Sequence, residues 1–250
     1  MRTDVHELMI EKVRETGLDT LFVGNQTNVR YVTGFTCDSG FAAVNSRDPS
    51  FFINPLYSEH AQSIVKKPFT IHEVKDGIFK YLSRLDISFW GTKVGYEADT
   101  LTCTDFTKLK EALKDVELIA TTGLIEELRM IKRSSEIKSI TGAQRISEEV
   151  FNEVLSLVRE GVEERDLALE IDYRIRKKGG ERAAFEIIAA SGPNTSKPHA
   201  VPSGRKLKAG DIVLFDMGTI IDGYASDMTR TVVLGKADPK LKKIYSTVLK

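Results

Sequence analysis

Apolar residues at Val5, Leu8, Met9 and Val13 recur at helical spacing up to Gly17, and Leu18 to Val23, which follows, reads as a buried strand. The same reading predicts strands over 41–45, 51–54, 70–73 and 94–97, and helices over 57–65, 77–83 and 105–113. Regular alternation of the two patterns predicts a compact α/β domain that ends near Ile119.

The texture changes after Thr121-Thr122-Gly123. Ser134 is positioned as an N-cap with Glu136 in the first turn, and Ile137, Ile140, Ala143, Val150, Phe151, Val154 and Val158 then form a helical stripe up to Gly161. Leu167, Ala168, Ile171 and Ile175 mark a second helix, and the basic cluster Arg174, Arg176, Lys177 and Lys178 closes it where positive charge complements the helix dipole. Strands are predicted over 185–190 and 211–216, with a loop rich in Pro and Gly over 191–204. Asp238-Pro239 has the form of a cap followed by proline at the first helical position, and Leu241, Ile244, Tyr245 and Val248 begin an apolar face. No Gly, Asn or Pro closes that helix before Lys250, so the reading expects only the first part of the second domain in this chain.

Composition narrows the classes of function. The 250 residues are 41% hydrophobic, enough for one large core or two ordinary domains. Formal charge is zero, from 36 Lys and Arg against 36 Asp and Glu, which argues against nucleic acid or an anionic membrane as partner. No apolar run approaches the ~20 residues of a membrane span, and the first residues lack the apolar core of a signal peptide. Two distant cysteines, Cys37 and Cys103, fit a reducing compartment, so a soluble cytoplasmic protein is expected.

The candidate chemistry lies between His199 and Thr231. An Asp-Gly turn at Asp222-Gly223 would pair Asp216 with Thr229 and Gly218 with Asp227, placing both aspartates on one sheet face as diagonal neighbours, roughly 7–8 Å apart at the backbone. A slip of one residue would send them to opposite faces. Hard carboxylate oxygens suit Mn²⁺ or Mg²⁺, and two cations about 3.5–4 Å apart can acidify a shared water and polarise a carbonyl. Taken singly, an Asp-x-Gly is more often a strand end and turn, which is how Asp211 and Asp222 are read.

Phe215-Asp216-Met217-Gly218 and Ser226-Asp227-Met228-Thr229-Arg230-Thr231, following Ala190-Ser191-Gly192-Pro193-Asn194 and Pro198-His199, resemble the metal-dependent Xaa-Pro aminopeptidase and prolidase group. Asn28-Val29-Arg30-Tyr31-Val32-Thr33-Gly34-Phe35 resembles a stretch of their N-terminal domain, and Leu128-Arg129-Met130-Ile131-Lys132 their interdomain crossing. The resemblance implies an α/β (α+β) protein, with a creatinase-like N-terminal domain over 1–122 and the N-terminal part of a pita-bread catalytic domain over 123–250. It further implies hydrolysis of the bond between an N-terminal residue and proline, two divalent ions (Mn, with Co or Zn as alternatives) held in part by Asp216 and Asp227, His199 as a catalytic hydrogen-bond donor in the substrate pocket, and a homodimer. His6, His60 and His72 are read as structural.

Family members complete the site with a histidine and two glutamates that follow the second aspartate, whereas no His or Glu follows Asp227 in this sequence. The chain alone is therefore expected to be inactive. Two readings compete with the peptidase: a metal-free hydrolase of the creatinase type, and a non-catalytic pita-bread module that binds peptides or proteins.

Overall fold

The computed structural model describes residues 5–65 and 67–249, without the side chain of Phe89. It divides into two compact units, Met1–Ile131 and Lys132–Lys250.

The first unit runs α1 (Val5–Glu15), β1 (Thr20–Val23), α2 (Gln26–Thr33), β2 (Phe41–Val44), β3 (Ser50–Ile53), α3 (Ser58–Ile64), β4 (Thr70–Glu73), α4 (Ile78–Leu82), β5 (Lys93–Glu97), α5 (Cys103–Ala112), β6 (Glu117–Thr121) and α6 (Leu124–Met130). Its strands form one mixed sheet in the order β4-β3-β2-β1-β5-β6. Along β1, Leu21 and Val23 join one core with Met9, Val13 and Phe51, while Phe22 joins another with Phe52, Trp90 and Leu109. Both faces are thus covered, which explains why Leu21-Phe22-Val23 of β1 is apolar throughout instead of alternating.

Helix α6 belongs to this unit, although the expected division after residue 122 assigns it to the second. Ile125 is buried in the core around α1, Lys12 pairs with Glu127 at 2.6 Å, and Arg129 Nη1 donates to Asn28 Oδ1 at 2.8 Å. The predicted helices and strands of the unit are present, and α2, β6 and α6 are additions. His72 and His60 are structural: His72 stacks on Phe52 with centroids 4.9 Å apart, and His60 lies edge-on to Phe35 at 5.2 Å.

The second unit comprises α7 (Ser134–Leu155), α8 (Glu164–Lys177), β7 (Arg182–Ala183), β8 (Ile188–Ser191), β9 (Ile212–Met217), β10 (Thr219–Ile221), β11 (Tyr224–Ala225), β12 (Met228–Val233) and α9 (Pro239–Val248). Two three-stranded sheets form, β12-β9-β8 and β11-β10-β7. Val150 and Val154 of α7 and Leu167, Ile171 and Ile175 of α8 pack on Val213, Phe215, Met217 and Met228. One face of the larger sheet is therefore closed by helices.

Three expectations are corrected here. Helix α7 is capped by Glu136, whose Oε2 accepts the Arg133 backbone N–H at 2.8 Å, so Ser134 lies inside the helix. The helix also ends at Leu155, before Gly161, because the following segment turns to pair with the strand-like residues near Leu207: Gly161 N donates to Leu207 O at 3.0 Å and Leu207 N to Val162 O at 2.9 Å. Finally, the strand predicted over 185–190 begins only at Ile188; before it, Ala184 N donates to Gly218 O at 2.9 Å and Ile187 is buried in the core without joining a strand.

Candidate metal centre

The site is built on one long hairpin. Asp222 and Gly223 have φ of 46° and 64°, the left-handed pair that a type I′ turn requires and that Asp-Gly supplies at least cost. From that turn the register runs Ile221 opposite Tyr224, Ile220 opposite Ala225, Met217 opposite Met228 and Asp216 opposite Thr229. The pairing of Asp216 with Thr229 is the predicted one. The predicted Gly218–Asp227 pair falls at the break between the two sheets, where no ladder pair forms.

That break has a steric cause. A Cβ on Gly218 would stand 2.1 Å from the Ser226 carbonyl oxygen and 3.0 Å from Ala184 Cβ and Phe185 Cε1. The two arms of the hairpin approach each other there too closely for a side chain, with Ala184 and Phe185 packed alongside. The approach is held from α7 by a buried hydroxyl cluster: Ser147 Oγ lies 2.9 Å from both Thr219 Oγ1 and Ser226 Oγ, and Ser226 Oγ accepts from Thr219 N at 3.0 Å. At the tip, Tyr224 donates to Glu136 Oε1 at 2.8 Å and Ser139 to Asp222 Oδ2 at 2.9 Å.

Alternation now places the carboxylates. Val213, Phe215 and Met217 point into the helix-covered core, so Ile212, Leu214 and Asp216 face the other way. Ser226 and Met228 also turn toward α7, leaving Asp227 exposed between them on the side of Thr229 and Asp216. Asp216 is half-buried, and its Oδ1 accepts from Thr229 Oγ1 at 2.9 Å, which orients it across the strand pair.

His199 lies in the loop after β8 and is exposed. Its neighbour Ala200 is buried with Ile188, Ala190 and Leu214, and Ile188 stands directly opposite Asp216. The loop is thus anchored on the same face of the sheet as the two aspartates.

A residue that the sequence reading passed over sits beneath this loop. Glu164, in the first turn of α8, is buried, and its carboxylate accepts from Ser191, Asn194 and Ser203. Burial pushes its pKa up, yet the hydrogen bonds from Ser203, Ser191 and Asn194 outweigh that and hold the carboxyl below its ordinary value. Arg205 bridges Ser191 Oγ to Asp211, with Nη1–Oδ2 and Nη2–Oδ1 distances of 2.7 and 3.0 Å. An acid at a helix N-terminus reads as ordinary dipole matching, so nothing in the sequence marks Glu164 as a buried hub.

Residues 138–250 match the model of metallopeptidase family M24, and residues 6–131 match the creatinase/prolidase N-terminal domain. The uncharacterized peptidase YqhT of Bacillus subtilis is 33% identical over 245 residues, covering 96% of this chain and 69% of that protein. The chain belongs to metallopeptidase family M24. A Xaa-Pro dipeptidase of Pyrococcus furiosus is 29% identical, over 97% of this chain and 68% of its own length. Among solved structures, a Xaa-Pro dipeptidase from Bacillus anthracis superposes with a TM-score of 0.90 at 35% identity, covering 98% of this chain and 69% of that one.

Membership of M24 implies a divalent-metal cofactor. The two carboxylates fit such an ion as two of its hard oxygen ligands, but they do not fill the four to six positions, roughly, that divalent ions take. Among the described residues no group of three or more His, Cys, Asp or Glu side chains converges as a metal cage. This M24 chain also has no helix, among the described residues, that is long and apolar enough to cross a membrane.

Proposed function

We propose that the protein is a metal-dependent hydrolase of the peptide bond that precedes proline, acting as an Xaa-Pro dipeptidase or aminopeptidase. The observation that carries this reading is the shared face: the hairpin register turns Asp216 and Asp227 to the side on which Ala200 anchors the His199 loop. Asp216 and Asp227 contribute the negative charge that holds the ion, with Thr229 fixing one Asp216 oxygen and leaving the other free. Asp216 and Asp227 would hold a divalent ion, whose Lewis acidity would make a water more acidic and a scissile carbonyl more electrophilic. His199 donates a hydrogen bond to the substrate carbonyl, stabilising the charge that grows on its oxygen. The two relatives named as Xaa-Pro dipeptidases support proline as the residue after the cleaved bond.

Manganese is the proposed metal, with cobalt or zinc as alternatives. A homodimer is the proposed assembly, by resemblance. The proposed compartment is the cytoplasm, consistent with Cys37 and Cys103 both being free thiols.

One observation favours a second reading, in which the fold binds peptides without cleaving them: no third ligand joins the two aspartates among the described residues. The deciding experiment is hydrolysis of an Xaa-Pro and an Xaa-Ala dipeptide with and without Mn²⁺, by the chain joined to the C-terminal part of a family member that carries the histidine and two glutamates, and by the same fusion with Asp216→Asn. Mn²⁺-dependent cleavage that prefers proline and disappears in the variant is the expected result. Cleavage that ignores both Mn²⁺ and the substitution would contradict it in favour of a metal-free hydrolase of the creatinase type. Mn²⁺ binding without cleavage would favour the binding module.

A further inference from the structure

Residues 192–202 leave the sheet after β8, carry Pro198-His199, and return toward Leu207. The ends of this excursion are fastened to a single carboxylate. Glu164 Oε1 accepts from Ser191 N and Oγ, both at 2.7 Å, and from Asn194 Nδ2 at 3.1 Å. Its Oε2 accepts from Asn194 Nδ2 at 3.0 Å, Ser203 N at 3.2 Å and Ser203 Oγ at 2.6 Å. The main chain of α8 reinforces the return arm, since Arg165 N donates to Ser203 O and Glu164 N to Arg205 O, both at 3.1 Å.

All six contacts are donors aimed at acceptor oxygens. An ionised carboxylate can accept from every one, whereas a glutamine amide turns an NH₂ toward a serine backbone N–H, which it leaves unpaired, and forces the facing serine hydroxyl to reverse its role. Beyond the fastened neck, the hold on the loop is the buried methyl of Ala200 against Ile188, Ala190 and Leu214. Neck and anchor together determine where the exposed imidazole of His199 stands.

We infer that Glu164 is a positioning residue: as a carboxylate it fastens the two ends of the 192–202 loop and thereby sets His199 on the face that carries Asp216 and Asp227. The inference rests on the proposed role of His199 on the substrate side. It predicts that the charge of Glu164, and not only its size, governs the placement of an imidazole that it does not touch.

The test reads the four histidine imidazoles of the full chain by carbon-edited NMR, with the His199 signal identified by its loss in His199→Gln. In Glu164→Gln the His199 signal is expected to move toward its position in the urea-unfolded chain, while those of His6, His60 and His72 stay in place. Ser203→Ala and Ser191→Ala, which remove one side-chain donor each, should give the same displacement in smaller measure, and they carry the test if Glu164→Gln does not fold. A folded variant with an unmoved His199 signal overturns the inference, and so does equal movement of all four signals, which would mark a general loss of structure. The readout needs neither metal nor turnover, so failure of the tether is separable from failure of the peptidase reading.

Discussion

Gly218→Ala perturbs the point where the two arms of the hairpin come together, two residues from Asp216 and at the position nominally opposite Asp227. Gly218 does not have a left-handed backbone, so the argument rests on space alone. The new methyl would meet the Ser226 carbonyl oxygen at 2.1 Å, against about 3.5 Å for a comfortable contact, a shortfall of about 1.4 Å. A flexible side chain could yield, but this neighbour is backbone, pinned through Ser226 Oγ to Thr219 N and to Ser147. Overpacking of a well-filled site costs about 1–3 kcal/mol, and the rigid neighbour puts this case near 3 kcal/mol. At ~2–4 °C per kcal/mol for a chain of this size, thermal unfolding followed by circular dichroism should shift down by about 6–12 °C. Gly142→Ala is the internal control. It lies in the middle of α7, its added methyl would touch only Ile221 Cδ1 at 3.5 Å, and alanine is favoured over glycine in a helix by about 0.5–1 kcal/mol. That variant should be as stable as the parent or slightly more so. A Gly218→Ala protein that melts with the parent would refute the steric account of the break between the sheets.

Further predictions concern the cluster beneath the hairpin, the orientation of Asp216 and two of the buried glutamates. Ser147→Ala leaves Thr219 and Ser226 hydroxyls short of a partner in a buried site, so urea unfolding should show a loss of about 1–3 kcal/mol, and an unchanged midpoint would count against the cluster as a support. Thr229→Val removes the bond that orients Asp216, and Mn²⁺ affinity measured by titration should fall by about tenfold, while equal affinity would show that Asp216 needs no such support. Glu164 and Glu97 carry opposite signs with pH. Hydrogen bonding holds Glu164 below its ordinary value in the native state, so its stabilisation is present above about pH 4.3 and is lost as pH falls through that lowered value. Burial raises Glu97 despite donors from Asn25, Asn28 and Gly24, so its contribution is complete below about pH 4.3 and is lost as pH rises through the raised value. Urea midpoints between pH 3 and 7 should therefore fall less steeply toward acid in Glu164→Gln than in the parent, and parallel curves would contradict the assignment.

The parts of the fold that sequence periodicity reveals are those where burial is simple. Helix α1, strand β4 and the α9 cap, where Asp238 Oδ1 accepts from Lys240 N at 2.7 Å, follow from local rules. The hairpin register was legible because Asp222-Gly223 admits one turn geometry, and every pair on either side follows from it. What stayed hidden depends on contacts between distant residues. Strand β8 starts late, after Ala184 has bonded to Gly218, α7 stops at Leu155 because the chain beyond it pairs near Leu207, and α6 joins the first unit through Ile125 and Arg129. Glu164 is the sharpest case. Its partners lie 27 to 39 positions away, and no local pattern distinguishes it from the acids beside it.

The central claim is that Asp216 and Asp227 act jointly on one metal site, and calorimetric titration of the full chain with Mn²⁺, beside Asp216→Asn and Asp227→Ala, tests it most directly. The account predicts saturable Mn²⁺ binding by the parent that either substitution abolishes. Binding that survives both substitutions, or none in the parent, would contradict it.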